Sequence, residues 1–224
     1  MVETGRTVAT PVWDLPVRIV HWSFPLLIPA MWWTAENKQM WWHERLGMVL
    51  LALLVFRILW GFVGSSTARF AQFVRGPGAI LAYLRGDGER KHIGHNPLGA
   101  LSVVALLAAL IAQVTMGLFA GDAFDGATGP LNELVGVMTA DRLTDWHHSF
   151  FNVIVGLVAL HLAAITWYAV ARHNDLVSPM LSGEKELPQD VPAMRTSPAW
   201  RAVACFALAA GLAVWIWFGA PPLT

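Results

Sequence analysis

Long apolar runs separated by short polar connections dominate the chain. Five of them reach the roughly 20 residues that an α-helix needs to cross a bilayer core. Lipid offers the backbone no hydrogen-bond partners, so helices are the elements expected there. The pattern predicts an all-α integral membrane protein, with span 1 at Val17–Ala35, span 2 at His43–Val63, span 3 at Pro97–Ala120, span 4 at Trp146–Ala171 and span 5 at Trp200–Gly219.

The connections between the spans differ in kind. A short turn, residues 36–39, separates spans 1 and 2 ahead of Met40-Trp41-Trp42, so the two spans are expected to be antiparallel neighbours. The loop 65–96 carries two short amphipathic stretches, which are interrupted at Gly76-Pro77-Gly78. The segment 187–198 contains three prolines. Span 5 is therefore expected to be an appended helix behind a linker.

Composition and charge refine this picture. Charged residues make up only 13% of the chain, whereas soluble domains carry about 25%. Of the 15 lysines and arginines, only Lys38, Arg45 and Arg142 fall on the outer side if the N-terminus is cytoplasmic, and this bias predicts an N-in, C-out topology. No basic patch is interleaved with aromatic residues, which excludes nucleic acid as a partner. The single cysteine, Cys205, excludes a disulfide and a covalently attached haem.

Histidines carry the candidate chemistry. His21, His43, His147 and His161 lie within or at the ends of spans, where ionisable residues are costly and are functional candidates. The helix period distinguishes His147 from His148. Each residue of a helix advances by about 100°. The 14 residues from His147 to His161 bring the chain within about 40° of a whole number of turns, whereas the 13 residues from His148 to His161 leave it about 140° away from one. His147 therefore shares a face with His161, about 21 Å away along the axis, and His148 points elsewhere.

The same two depths recur on spans 1 and 2. His43 opens span 2 near the outer side and is expected to pair with His147, while His21 lies near the inner end of span 1 and is expected to pair with His161. Two imidazoles per level are too few for a closed zinc site. A haem supplies its own equatorial nitrogens and needs two axial ligands. The spacing therefore predicts two non-covalent, bis-histidine b haems, one at each level.

Three residues near these histidines fit the same prediction. Gly47 lies on the face of His43, where a missing side chain lets a porphyrin approach. Arg57, 14 residues after His43, and Arg18, one turn before His21, are placed to hold haem propionates. For both arginines the alternative is that the side chain extends to the inner lipid headgroups.

The chain resembles the bacterial cytochrome b561 family and the related b-type cytochrome subunits of membrane-bound nickel–iron hydrogenases. The likeness covers roughly residues 12 to 185. It rests on Pro16-Val-Arg-Ile-Val-His21-Trp22, His43-x-x-x-Gly47-Met48, the stretch Phe56 to Gly64, Gly94-His95-Asn96-Pro97, Trp146-His147 through His161, and Met180-Leu181-Ser182-Gly183. The resemblance implies a four-helix bundle with two b haems in residues 1–185, held by the four histidines selected above. Residues 186–224 would add a linker and a fifth helix that the family's basic unit lacks.

The resemblance also implies a function in the bacterial cytoplasmic membrane. Electrons would pass between the quinone pool and a periplasmic redox protein, such as a cytochrome c or a dehydrogenase or hydrogenase subunit. His92 and His95 are candidates for proton exchange with quinone, although the turn around His95 is expected mainly to cap span 3.

Two alternatives remain at this point. One is a self-contained oxidoreductase, in which quinone and a small redox substrate such as superoxide react directly at the haems. The other is a non-redox membrane anchor or metal-ion carrier.

Overall fold

The computed structural model describes residues 7–85, 93–121 and 127–223. Within that part, helices dominate, which confirms the all-α class predicted from the apolar runs. The elements in chain order are β1 (Thr7–Pro11), α1 (Leu15–Glu36), α2 (Met40–Val63), α3 (Phe70–Phe73), α4 (Pro77–Leu84), α5 (Pro97–Phe119), α6 (Val137–Ala171), α7 (Val177–Ser182), β2 (Glu184–Pro188) and α8 (Ala199–Trp217).

Four of the described helices, α2, α5, α6 and α8, are long and apolar enough to cross a membrane. Helix α1 has 22 residues but contains Pro25 and Pro29 and lies outside this set, so its crossing stays a prediction. Helix α6 begins at Val137 and not at Trp146, the predicted start of span 4. The reason is that residues 137–145 contain no glycine or proline and continue the helix toward its N-terminus.

The described chain divides into two compact units, each of which takes part of the long helices. Unit 1 comprises the described residues of Met1–Ile19, Ile58–Val104 and Ala159–Ala202. Unit 2 comprises those of Val20–Arg57, Ala105–Val158 and Val203–Thr224.

Unit 1 contains the two strands and the short helices. Strands β1 and β2 pair antiparallel, with Thr7 opposite Pro188 and Pro11 opposite Glu184. The amphipathic stretches of the loop form α3 and α4. Of the predicted interruption Gly76-Pro77-Gly78, only Gly76 lies outside the helices, since proline at the first position starts α4. Asn96 caps α5, since its Oδ1 accepts the backbone N–H of Gly99 at 2.7 Å.

The predicted linker before α8 is bonded to the rest of unit 1. Arg195 and Ser66 exchange two hydrogen bonds: the Ser66 N–H donates to the Arg195 carbonyl, and the Arg195 N–H donates to the Ser66 hydroxyl, both at 3.0 Å. The Ser197 hydroxyl donates to the Val63 carbonyl at the end of α2 at 3.1 Å. These bonds anchor the residues that lead into α8, while the division of the chain at residue 185 stays a prediction.

Unit 2 contains the α1–α2 turn and a packed apolar core. The turn closes with a bond from the Gln39 N–H to the Thr34 carbonyl at 2.7 Å. The guanidinium of Arg45 lies 3.5 Å from the ring centre of Trp41 and 5.2 Å from that of Trp217. Because Trp217 ends α8, this cation–π contact attaches α8 to α2. The core is built from Leu50, Leu54, Ile154, Ala209 and Ala213, all buried.

Candidate functional site

Two of the four predicted ligands face each other inside unit 2. The ring centres of His43, on α2, and His147, on α6, are 6.0 Å apart, and the ring planes are nearly perpendicular at 85°. Metal–imidazole bonds are about 2 Å long, so two bonds plus the ring radii add up to about 6 Å. The gap between these two imidazoles therefore has the length that a single iron ion with two axial histidines requires.

His147 is oriented by α5. Its Nδ1 lies 2.9 Å from the Gln113 carbonyl oxygen, and the Gln113 Nε2 donates back to the His147 carbonyl at 2.9 Å. Because a carbonyl only accepts, Nδ1 must carry the proton, which leaves the Nε2 lone pair for a metal. The neighbouring His148 is exposed while His147 is half-buried, so the two side chains have different surroundings.

His43 is held in the same way by α1. Its Nδ1 lies 2.9 Å from the Met31 carbonyl oxygen, so this ring also presents Nε2 as its free acceptor. The same carbonyl accepts the Thr34 hydroxyl at 2.9 Å. Both members of the pair therefore meet the usual requirement for a metal-ligating histidine, a second ring nitrogen fixed by an oxygen acceptor.

Gly117 contributes to this site, and the sequence did not show it. A Cβ built at Gly117 would lie 2.9 Å from Cε1 and 3.1 Å from Nδ1 of His147, so any side chain would displace the imidazole. Gly117 follows Gln113 by one helical turn, and this spacing is the one feature of the sequence that could have linked Gly117 to the His147 site. By contrast, a Cβ at Gly47 would meet only Met31 Cε, at an ordinary 3.4 Å.

His161 has its own polar partner inside unit 1. The Ser102 hydroxyl oxygen on α5 lies 3.1 Å from His161 Nδ1. A hydroxyl both donates and accepts, so this bond presents the Nε2 lone pair to a metal when Nδ1 is the donor. His21 makes an edge contact with Trp22, with 5.1 Å between the ring centres. His21 and His161 fall in different units, and their pairing stays a prediction.

The two predicted propionate-binding arginines differ in exposure. Arg57 is 6% exposed, although a side chain reaching for lipid headgroups would keep its guanidinium in water. Arg18 donates to the Leu181 carbonyl at the end of α7. A Cβ at Gly183 would lie 2.9 Å from Arg18 Nη1, so this glycine leaves room for the guanidinium.

Other metal sites lack a ligand set in the described residues. No group of three or more histidine, cysteine, aspartate or glutamate side chains meets anywhere in ranges 7–85, 93–121 and 127–223. A closed zinc site needs four protein ligands, whereas the His43/His147 gap suits a metal that brings its equatorial ligands with it. These residues therefore fit a haem.

Of the two inner-loop histidines, His95 lies in the described part of the chain. His95 packs against the rings of Trp13 and Phe73, at 4.6 and 4.7 Å between ring centres, beside the capping residue Asn96. His92 lies outside the described residues.

Comparison with known proteins gives one family. A model described as prokaryotic cytochrome b561 matches residues 12–183. Among curated proteins, the chain is 24% identical to a probable Ni/Fe-hydrogenase B-type cytochrome subunit of Bradyrhizobium diazoefficiens, over 81% of this chain and 89% of that protein. Proteins with the same description from Azotobacter chroococcum mcd 1 and Rhodobacter capsulatus are 25% and 26% identical, over 85% and 83% of this chain and 97% and 84% of their own lengths. No solved structure matches significantly.

Proposed function

Because the chain belongs to the prokaryotic cytochrome b561 family, and is thus a multi-pass membrane protein that transfers electrons through haem b, we propose that it is a di-haem electron conduit between quinone and a periplasmic redox protein. The observation that carries this proposal is the His43/His147 pair. Its rings are 6.0 Å apart, and each Nδ1 is bonded to a carbonyl. A haem with two axial histidines exchanges single electrons and leaves no axial position open to a substrate.

The proposal assigns the second haem to His21 and His161. Ser102 orients His161 through Nδ1, and the buried guanidinium of Arg57 would also bond to an anionic haem propionate. Arg18 would bind a haem propionate in the same way, through the guanidinium N–H groups that do not donate to the Leu181 carbonyl. Gly47 would leave the face beside His43 open to a porphyrin.

Charge distribution supports an N-in, C-out orientation, because the outer side would hold only Lys38, Arg45 and Arg142. His43 and His147 would then lie near the periplasm and would exchange electrons with the partner. The three relatives are described as hydrogenase cytochrome subunits, so a nickel–iron hydrogenase is the first partner to test. A cytochrome c or another dehydrogenase would occupy the same place.

Spectroscopy tests the redox role. The purified chain should show a b-type reduced-minus-oxidised spectrum and about two haems per chain, since each pair of axial histidines holds one haem. A spectrum without a b-haem band would contradict the whole proposal.

Reoxidation kinetics separate the conduit from a self-contained oxidoreductase. Protein reduced with quinol should be reoxidised only after a periplasmic redox protein is added, with the oxidised hydrogenase and a cytochrome c as the two arms. Rapid reoxidation by superoxide alone would favour the self-contained enzyme.

A further inference from the structure

The chain has two tyrosines, and they are bonded to each other across 85 positions. Tyr83 lies on α4 and Tyr168 near the end of α6, with 2.8 Å between their hydroxyl oxygens. The Asn96 amide donates to the Tyr83 hydroxyl at 3.1 Å. All three residues belong to unit 1, so they form one polar chain within a single compact unit.

Counting protons shows what this polar chain can donate. A tyrosine hydroxyl donates one proton and accepts two hydrogen bonds. Tyr83 accepts from Asn96, and one of the two hydroxyl protons is used between Tyr83 and Tyr168. When Tyr83 donates to Tyr168, the second hydroxyl proton is on Tyr168 and is available to a further acceptor.

Tyr168 is also aligned with a predicted haem ligand. It follows His161 by seven residues, which is within about 20° of two full helical turns. Tyr168 therefore shares the His161 face of α6, about 10.5 Å further along the axis. Ser102 occupies Nδ1 of that histidine. The face thus carries a histidine and then, toward the end of the helix, a tyrosine hydroxyl.

We propose that Tyr168 donates its hydroxyl proton to a carbonyl oxygen of a quinone bound beside the His161 haem, and that Tyr83 is a positioning residue that restores this proton. This inference rests on the proposed quinone-linked function. Reduction of the quinone takes two protons and two electrons, and the electrons pass through the b haem one at a time. One proton comes from Tyr168, which regains it from Tyr83 and thereby from water, and the second comes directly from water. Quinol oxidation follows the same path in reverse.

The electrostatics of Tyr83 suit this role. Burial raises the pKa of its hydroxyl, and the hydrogen bond to Tyr168 acts in the same direction, so the group stays protonated as a donor. The nearby charge of Arg172 acts to lower the same pKa. It therefore reduces the cost of the brief loss of a proton during transfer.

The test uses the full-length, haem-loaded protein and follows haem absorbance after rapid mixing with decylubiquinol or menadiol. Tyr168→Phe should slow quinol-driven haem reduction at least tenfold, because general acid–base groups contribute about 10²–10⁴-fold. Dithionite should still reduce both haems fully. The matched control is Trp167→Phe, an aromatic replacement at an exposed neighbouring position, which should leave the rate unchanged.

Tyr83→Phe provides a second variant. It should slow haem reduction several-fold and increase the solvent deuterium isotope effect, which a purely structural role would not change. This variant decides the outcome if Tyr168→Phe fails to retain haem. If quinol reduces the haems of the wild-type protein, and reduces those of Tyr168→Phe or Tyr83→Phe at the same rate, the inference is overturned while the proposed function stands. If neither quinol reduces the haems of the haem-loaded wild-type protein, the proposed quinone-linked function is itself contradicted.

Discussion

His147 and His161 lie on one helix, but α5 holds them by different means. His147 donates to a backbone carbonyl, that of Gln113, and lies where a side chain at Gly117 would collide with it, whereas His161 is bonded to the side chain of Ser102. Backbone carbonyls are present at every position, so substitution of Gln113 leaves the acceptor in place. Substitution of Ser102 removes it. The first histidine is therefore positioned by the path of the backbone and by available space, and the second by a replaceable hydroxyl.

Filling the space beside His147 should have the largest effect. Gly117→Val places atoms where the imidazole lies, so we expect loss of one of the two haems, measured as the haem-to-protein ratio. Gly156→Val on α6 is the matched control, because a Cβ at Gly156 has no neighbour within 4 Å among the described residues. Two haems retained in Gly117→Val would contradict the assigned contact.

Removing the hydroxyl beside His161 should have an intermediate effect. Ser102→Ala takes away the Nδ1 partner, and loss of such a partner typically lowers affinity 10–100-fold in metal sites. Haem titration of the apoprotein should show one weakened site and one unchanged site. Ser149→Ala is the control, since that hydroxyl only bonds the Asp145 carbonyl on its own helix. An unchanged affinity at both sites would show that Ser102 does not orient a ligand.

The side chain of Gln113 should matter least. Gln113→Leu removes the bond from Nε2 to the His147 carbonyl but leaves the backbone carbonyl that holds the ring. We expect two haems and unchanged affinities, with a loss of about 1 kcal/mol in the free energy of unfolding. A haem loss as large as that in Gly117→Val would mean that the side chain, and not the backbone, orients His147.

The angle between the rings of His43 and His147 gives a prediction without any mutation. The planes are 85° apart, and a carbonyl bond fixes each ring. Axial imidazoles in perpendicular planes give a low-spin ferric haem a highly anisotropic electron paramagnetic resonance signal, whereas parallel planes give a rhombic one. The oxidised protein should therefore show a highly anisotropic component that Gly117→Val removes. Rhombic signals alone would rule out this ring geometry.

The sequence was informative where function depends on residue type and helical period. The 14-residue step predicts His147 and not its neighbour as a ligand, and the ring centres of His147 and His43 lie 6.0 Å apart. The contacts that orient the rings could not be predicted, because the carbonyls of Met31 and Gln113 have no signature in the side-chain sequence.

Long-range polar contacts were missed for a related reason. The pairing of Tyr83 with Tyr168 joins residues 85 positions apart, and helical period gives no relation between different helices. Strands β1 and β2 are each five residues long and lie 173 positions apart at their closest, and neither strand shows an apolar pattern that indicates its partner.

The haem-to-protein ratio of His147→Ala and His148→Ala, purified in parallel, tests the central claim most directly. The two residues are adjacent, but His147 is half-buried with its ring 6.0 Å from that of His43, whereas His148 is exposed. We predict one haem per chain in His147→Ala and two in His148→Ala, as in the wild type. Equal haem loss in the two variants, or two haems in His147→Ala, would contradict the assignment of His147 as an axial ligand.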